Sequence, residues 1–218
     1  DLVYGTELWV SDGSSAGTTL VKDINANPTM STSGITLSKV ANGMMFFQAN
    51  DGVTGAELWR TDGTPGGTML LKDIYPGVTS STPDQMGVLN GVVYFRASDA
   101  ANGQELWRSD GTPGGTVLVK NIRAGASSSS PMYMTGMNGM LYFRANEGTG
   151  GNELWVSTGE VENATRLKDI NPGANASNPA YLANINGTLY FQANDGTNGL
   201  ELWKSDGTAL GTVMAKDI

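Results

Sequence analysis

Glu57-Leu58-Trp59-Arg60-Thr61-Asp62-Gly63-Thr64-Pro65-Gly66-Gly67-Thr68-Met69-Leu70-Leu71-Lys72-Asp73-Ile74 is one of five near-copies of the same string in a chain of 218 residues. The other copies are built on Glu7-Leu8-Trp9, Glu105-Leu106-Trp107, Glu153-Leu154-Trp155 and Glu201-Leu202-Trp203. All five tryptophans of the chain lie in this string, spaced 50, 48, 48 and 48 residues apart. Upstream of Glu-Leu-Trp, each full copy adds an apolar segment, an Asn-Gly pair, a Leu-Tyr-Phe-like segment and a turn of Asn-Asp-Gly character. Four strand-like segments on a period near 48 residues describe one blade of a β-propeller.

The repeats partition the chain into a half repeat, 1-24, and four full repeats, 25-74, 75-122, 123-170 and 171-218. Asp1 aligns with Asp195, so the half repeat holds only the last two strands of a unit. The expected architecture is a single all-β domain over 1-218: a β-propeller of four-stranded antiparallel blades, about five in number with one incomplete. A β-solenoid of stacked repeats is the alternative. The half repeat is expected beside the blade that ends at Ile218. Its missing inner pair leaves an open edge that invites self-association, flanking sequence or a partner.

Within a full repeat, strand a is read at Asp84–Leu89, Met132–Met137 and Ala180–Ile185, each after a proline, which suits a position whose N–H is not needed by the ladder. Asn42-Gly43, Asn90-Gly91, Asn138-Gly139 and Asn186-Gly187 then predict type I′ hairpin turns. Strand b covers 44-49, 92-97, 140-145 and 188-193. Strand c holds Glu-Leu-Trp, and strand d holds Leu-Val-Lys-Asp-Ile. The apolar residues come in runs rather than in strict alternation, which means that both faces of each sheet are covered.

The composition fits this reading and excludes several others. Thirty glycines signal many tight turns, and nothing in the chain reads as a long helix. A net charge of −8 gives no electrostatic footing for nucleic acid or an anionic membrane. No apolar run approaches the roughly 20 residues of a membrane-spanning helix, so no membrane insertion is expected. With neither cysteine nor histidine, there is no thiolate metal site, and the commonest general base is missing. The start at Asp1, without Met, points to a removed leader or a longer polypeptide.

The string Glu-Leu-Trp-x-x-Asp-Gly-Thr-x-x-Gly-Thr-x-Leu-Val-Lys-Asp-Ile resembles the ELWxxDGT repeat family of bacterial secreted and cell-surface proteins, over essentially the whole chain. The resemblance implies an extracellular array of propeller type. Three copies depart from the pattern: Thr158-Gly159-Glu160 stands for Asp-Gly-Thr, Asn121 for the Asp of Lys-Asp-Ile, and Ser14-Ser15-Ala16 for Thr-Pro-Gly.

Several residue sets suggest chemistry. The tryptophans suit sugar stacking when exposed, but five identical mid-strand positions are more simply fillers between blades. The repeated Glu of strand c and Lys of strand d suggest an ion pair within each blade. Because all five glutamates share one motif, none stands out as a general acid. Turns from b to c offer oxygen ligands of the type calcium accepts: Asp51, Asp99, Glu147 and Asp195. Asn, Asp and Gly are equally what such turns select. The b-to-c and d-to-a links emerge on one face, where Tyr75, Arg123 and Asn171, with Asn50 and Asn194, are the candidate ligand-binding residues. The leading expectation is a non-catalytic, secreted or cell-surface binding and adhesion module for a glycan or a surface protein, with Ca2+ as its conceivable cofactor. A propeller glycosidase or lyase and a structural spacer are the alternatives.

Overall fold

A computed structural model describes residues 6–26 and 33–218 of the chain. It is an all-β, propeller-type structure whose sheets follow the repeats. The half repeat gives the two-stranded ladder of β1 (Leu8–Val10) and β2 (Thr19–Lys22). The first full blade is β3 (Thr36–Ala41), β4 (Met44–Asn50), β5 (Ala56–Thr61) and β6 (Met69–Lys72). The second is β7 (Asp84–Leu89), β8 (Val92–Asp99), β9 (Gly103–Ser109) and β10 (Val117–Lys120). The third is β11 (Met132–Met137), β12 (Met140–Asn146), β13 (Asn152–Ser157) and β14 (Thr165–Lys168). The fourth is β15 (Ala180–Ile185), β16 (Thr188–Asn194), β17 (Leu200–Ser205) and β18 (Val213–Lys216). Every sheet is an antiparallel meander in chain order.

The hairpins form as the Asn-Gly pairs dictate. Asn42, Asn90, Asn138 and Asn186 have φ of 48 to 51°, and the glycines that follow are also at positive φ, as a type I′ turn requires. Phe47, Phe95, Phe143 and Phe191 lie directly opposite Trp59, Trp107, Trp155 and Trp203 across the middle ladder. In the c-to-d ladder the register shifts beside the Trp in every blade, for example between Leu58 and Trp59. Such a bulge re-aims side chains without ending the pairing.

Adjacent residues of a blade therefore serve different neighbours. Phe46, Leu58, Leu71 and Ile74 form one apolar cluster with Phe95, Ala97 and Trp107 of the next blade. Phe47 and Trp59 face the other way, against Ile24 and Leu8 of the half blade. The same arrangement recurs at the two later junctions. Trp59, Trp107, Trp155 and Trp203 are only 5 to 6 % exposed, as expected of side chains that fill the space between blades, whereas Trp9 of the half blade, expected to be buried with them, is 41 % exposed. Between blades it is the inner strands β3, β7, β11 and β15 that lie close, while the outer strands diverge. This fanning about a common axis is the propeller arrangement rather than a solenoid stack. The approach is tight: a Cβ on Gly87 of β7 would lie 2.7 Å from that of Met134 on β11.

Two expectations are corrected. The Glu and Lys of a blade do not pair. Instead Lys22, Lys72, Lys120 and Lys168 each donate across the junction to a main-chain carbonyl of the next blade, those of Thr68, Thr116, Ala164 and Thr212, at 2.6 to 3.2 Å. The half blade seats its inner face on β3–β6 rather than beside the blade that ends at Ile218. Among the described residues the far face of the last blade stays open, with Leu200, Leu202, Val213 and Ile218 exposed.

Leu8, Trp9, Val10 and Val21 of the half blade border a cavity of about 250 Å³ with Val40, Met45 and Thr61, where its own strands a and b would lie. Fusing a copy of residues 171–194 ahead of Asp1 completes that blade in register. We expect thermal unfolding to shift upward by about 5 °C or more, since a few kcal/mol moves the midpoint of a chain this size by that amount. An unchanged midpoint would show that the added hairpin does not dock. In the same assay Trp107→Ala should cost about 3–5 kcal/mol.

Candidate functional site

The entry of each inner strand is set by a buried carboxylate. Oε2 of Glu57 accepts the N–H of Ile74 at 3.0 Å and the hydroxyl of Ser81 at 2.5 Å, while Oε1 accepts the N–H of Ser81 at 2.9 Å. Glu105 holds Ile122 and Ser129 in the same way, and Glu153 holds Ile170 and Ser177. These serines, fully buried, close the link from one blade onto the inner strand of the next. Sequence reasoning passed over them, although a serine recurs seven residues after Ile74, Ile122 and Ile170.

Just beyond each clamp the inner strand is bulged. The register shifts between Asp84 and Gly87, Met132 and Thr135, and Ala180 and Ala183. The displaced residues Gln85, Tyr133 and Tyr181 have φ of 52, 60 and 57°. A non-glycine residue in the left-handed region costs free energy, and its recurrence in three blades marks a position held by its surroundings. These three side chains, with Lys39, Met86, Met134, Thr135 and Leu182, line a cavity of about 430 Å³ that draws on all four inner strands. It lies at the axis, on the face where the blade links emerge.

The cavity has an aromatic wall and a positive lip. The Tyr133 and Tyr181 rings lie 5.8 Å apart at 52°, and Tyr181 is 73 % exposed. Behind Tyr133 the guanidinium of Arg144 sits 5.1 Å from the ring centroid. Burial chiefly, and Arg96 in addition, lowers the Arg144 pKa from its ordinary value, while Tyr133 opposes this. Arg144 makes no ion pair among the described residues, and its Nε has no hydrogen-bond partner there. Arg96, its equivalent one blade earlier, is neutralised by a two-pronged pair with Asp84 at 2.7 and 2.5 Å. In a chain of net charge −8, the axial mouth thus carries Lys39, with Arg144 lacking an ion pair behind Tyr133, and none of the described residues that line it is a carboxylate.

The rim residues expected from sequence occupy other places. Oδ1 of Asp51 accepts the N–H groups of Val53 and Thr54 at 2.9 and 2.7 Å. Asp99 binds Ala101 and Asn102, and Asp195 binds Thr197 and Asn198, in the same manner. Glu147 pairs with Arg166 at 3.1 Å. Asn50 and Asn194 each accept the N–H of the glycine two residues on, at 2.7 Å. Arg123 and Asn171 lie against Gly148 and Gly196, in the b-to-c turns of the following blades. The main-chain N–H of Tyr75 reaches Glu57 at 3.5 Å. Arg123 and Asn171 thus approach the b-to-c turns at successive junctions rather than in one site, and none of these residues lines the axial cavity. Among the described residues no group of three or more acidic side chains is placed to hold a metal ion. The sequence signal at the axis is slight: Tyr133 and Tyr181 recur at the position where the second blade has Gln85.

No protein-family model matches the chain, and no curated protein matches it by sequence. Solved structures resemble it in fold. A puromycin hydrolase (S511A mutant) superposes with a TM-score of 0.56 at 14% identity, over 93% of this chain and 31% of its own. A prolyl endopeptidase gives 0.56 at 16%, over 97% and 30%. TolB from Acinetobacter baumannii gives 0.50 at 11%, over 96% and 49%. The chain spans about a third to a half of these proteins, and at such identities the likeness concerns fold alone.

Burial pushes the carboxyls of Glu57, Glu105 and Glu153 above the ordinary value of 4.5, against the opposing pull of the Ser hydroxyl and main-chain N–H bonds. A raised native pKa favours the protonated form in the fold. Its contribution to stability is therefore complete below pH 4.5 and is lost as pH rises through the native value. Glu105→Gln cannot titrate and turns an amide toward buried donors, so it should cost about 1–3 kcal/mol. We expect its deficit against the parent chain, measured by denaturant unfolding, to be larger at pH 4 than at pH 7. An equal deficit at both would mean that the site does not shift the carboxyl.

Proposed function

We propose that the protein is a non-catalytic binding module whose ligand, a glycan, enters the axial cavity. The observation that carries this reading is the tilted Tyr133–Tyr181 pair on strained bulges at a cavity lined by four blades. Aromatic faces suit the apolar faces of sugar rings, and Gln85, Thr135 and Ser38 supply hydroxyl-binding groups around them. Lys39 on the lip and Arg144 beneath Tyr133 favour a sugar that bears a carboxylate over a neutral one. A glycosidase places two carboxyl groups about the scissile bond, and the residues around this cavity do not suggest such a pair. Adhesion at an extracellular or cell surface follows from the repeat string and its resemblance. Calcium at the b-to-c turns belongs to the same reading as a stabiliser of the rim.

A glycan array probed with the 218-residue chain, with and without calcium, tests the reading. Acidic glycans should bind, and Tyr181→Ala and Tyr133→Ala should each weaken the best one about tenfold or more, equivalent to at least 1.4 kcal/mol, at unchanged melting temperature for Tyr181→Ala. An array with no binder, or binding indifferent to both tyrosines, would reject the axial glycan site. A melting temperature that calcium leaves unmoved would reject the cation, because a ligand of the native state raises stability.

A further inference from the structure

Five arginines lie on strands, and they fall into two groups. Arg96 pairs with Asp84, Arg108 with Glu160, and Arg166 with Glu147 and Asp169. Arg60 and Arg144 have no carboxylate partner among the described residues, and their guanidinium groups meet methionine sulfur instead. Nη1 and Nη2 of Arg60 lie 3.0 and 3.5 Å from the sulfurs of Met44 and Met69, and Nη2 of Arg144 lies 2.6 Å from that of Met132. In both arginines Nε is buried without a hydrogen-bond partner among the described residues. A thioether is a weak acceptor, so these contacts leave donor capacity unused.

The repeat itself shows what is missing at Arg144. Met132 faces Arg144 on the same rung of the inner ladder on which Asp84 faces Arg96 one repeat earlier. There Asp84 gives one oxygen to Nε at 2.7 Å and the other to Nη2 at 2.5 Å. In the third blade sulfur stands against Nη2, and no acceptor stands against Nε. What the rung lacks is one oxygen atom, and oxidation of the methionine supplies it. A sulfoxide carries a polar oxygen on the sulfur, and the flexible methionine side chain allows the retreat of about an ångström that an N–H···O bond to Nε needs.

We infer that Met132 is a site of reversible oxidation to the sulfoxide, with Arg144 as the group that receives the new oxygen. The oxidant is hydrogen peroxide. One of its oxygen atoms goes to a lone pair of the sulfur, the O–O bond breaks, the thioether loses two electrons, and the rest of the peroxide leaves as water with no net proton taken from the protein. The sulfur is reachable, since Met132 is only partly buried, whereas Met137 at the far end of β11 is 1 % exposed. The chain has ten methionines and no cysteine, so no thiol competes for the oxidant. A sulfoxide inside an apolar core disrupts packing; at Met132 it completes the hydrogen bonding of a cation. Met44, set against Arg60, repeats the arrangement in the first blade. Met132 directly precedes Tyr133, so the modified residue borders the axial cavity, and its pairing with Arg144 does not depend on what that cavity binds.

Brief treatment of the 218-residue chain with hydrogen peroxide, followed by peptide mass spectrometry, should place a sulfoxide at Met132 and leave Met137 a thioether. Methionine sulfoxide reductases for both epimers should then return the parent mass. Melting temperatures separate an oxygen that is received from one that only damages. Arg144→Leu keeps an apolar stem and removes every donor. At matched oxidation of each methionine, its melting temperature should fall about 2–4 °C further than that of the parent chain, the shift that one such interaction makes in a chain of this size. Met132→Asp, which repeats the Asp84–Arg96 rung, should melt above the parent with no oxidant present. An equal fall on oxidation in both chains, or a Met132 that stays reduced while Met86 and Met134 oxidise, would overturn the proposal. So would Met132→Asp melting at or below the parent.

Discussion

The interaction on which the structure most depends is the acceptance of main-chain and serine donors by the buried glutamate of strand c. A link that leaves the outer strand must return across the sheet to the inner strand of the next blade, and its N–H groups pass out of water on the way. Glu57, Glu105 and Glu153 receive them inside the sheet that the link has just left. Each blade thereby dictates where its successor begins, and the angle between blades is inherited from a hydrogen-bonded loop rather than from apolar contact alone. Because an unpaired buried donor costs on the order of 1–3 kcal/mol, the path of the link tolerates little change, and so does the place where the inner strand enters.

The frame was readable from the chain because its determinants are local. Asn-Gly specifies the hairpin, and Trp opposite Phe specifies the ladder. The expected spans of β7, β11 and β15 agree with the structure to the residue. What lay outside reach was set across junctions. A Glu and a Lys on neighbouring antiparallel strands look like a pair until one knows that the bulge opposite Leu58 and Trp59 sends Lys72 toward the next blade. The axial bulges were equally hidden, since Asp84-Gln85-Met86 and Met132-Tyr133-Met134 contain no glycine to announce positive φ. Nor does order along the chain say on which neighbour a half repeat will settle; that follows from which of its faces carries Ile24 and Leu8.

The aberrant fourth copy shows how the frame absorbs change. In the regular copies Asp62 or Asp206 closes the c-to-d turn on the N–H and hydroxyl of a threonine two residues later. With Thr158-Gly159-Glu160 in place of that set, Asn163 supplies the acceptor to the N–H of Thr158 at 3.0 Å. Arg108 of the preceding blade binds both the Gly159 carbonyl and Glu160, at 2.9 and 3.0 Å. A turn that has lost its Asp–Thr closure is thus closed again by Asn163 and braced from outside by Arg108, and the blade keeps its register.

The left-handed bulge also limits what the mouth can become. Valine, isoleucine and threonine are strongly disfavoured at positive φ because their branched Cβ crowds the main chain. Unbranched polar, aromatic or asparagine-like side chains are tolerated there, and Gln85, Tyr133 and Tyr181 all come from that group. Substitution at these positions can therefore alter hydrogen-bonding capacity and aromatic area around the axis while aliphatic β-branched lining is kept out. The backbone geometry thus acts as a filter on the vocabulary of the pocket, excluding side chains branched at Cβ while leaving polarity and aromatic area free to change.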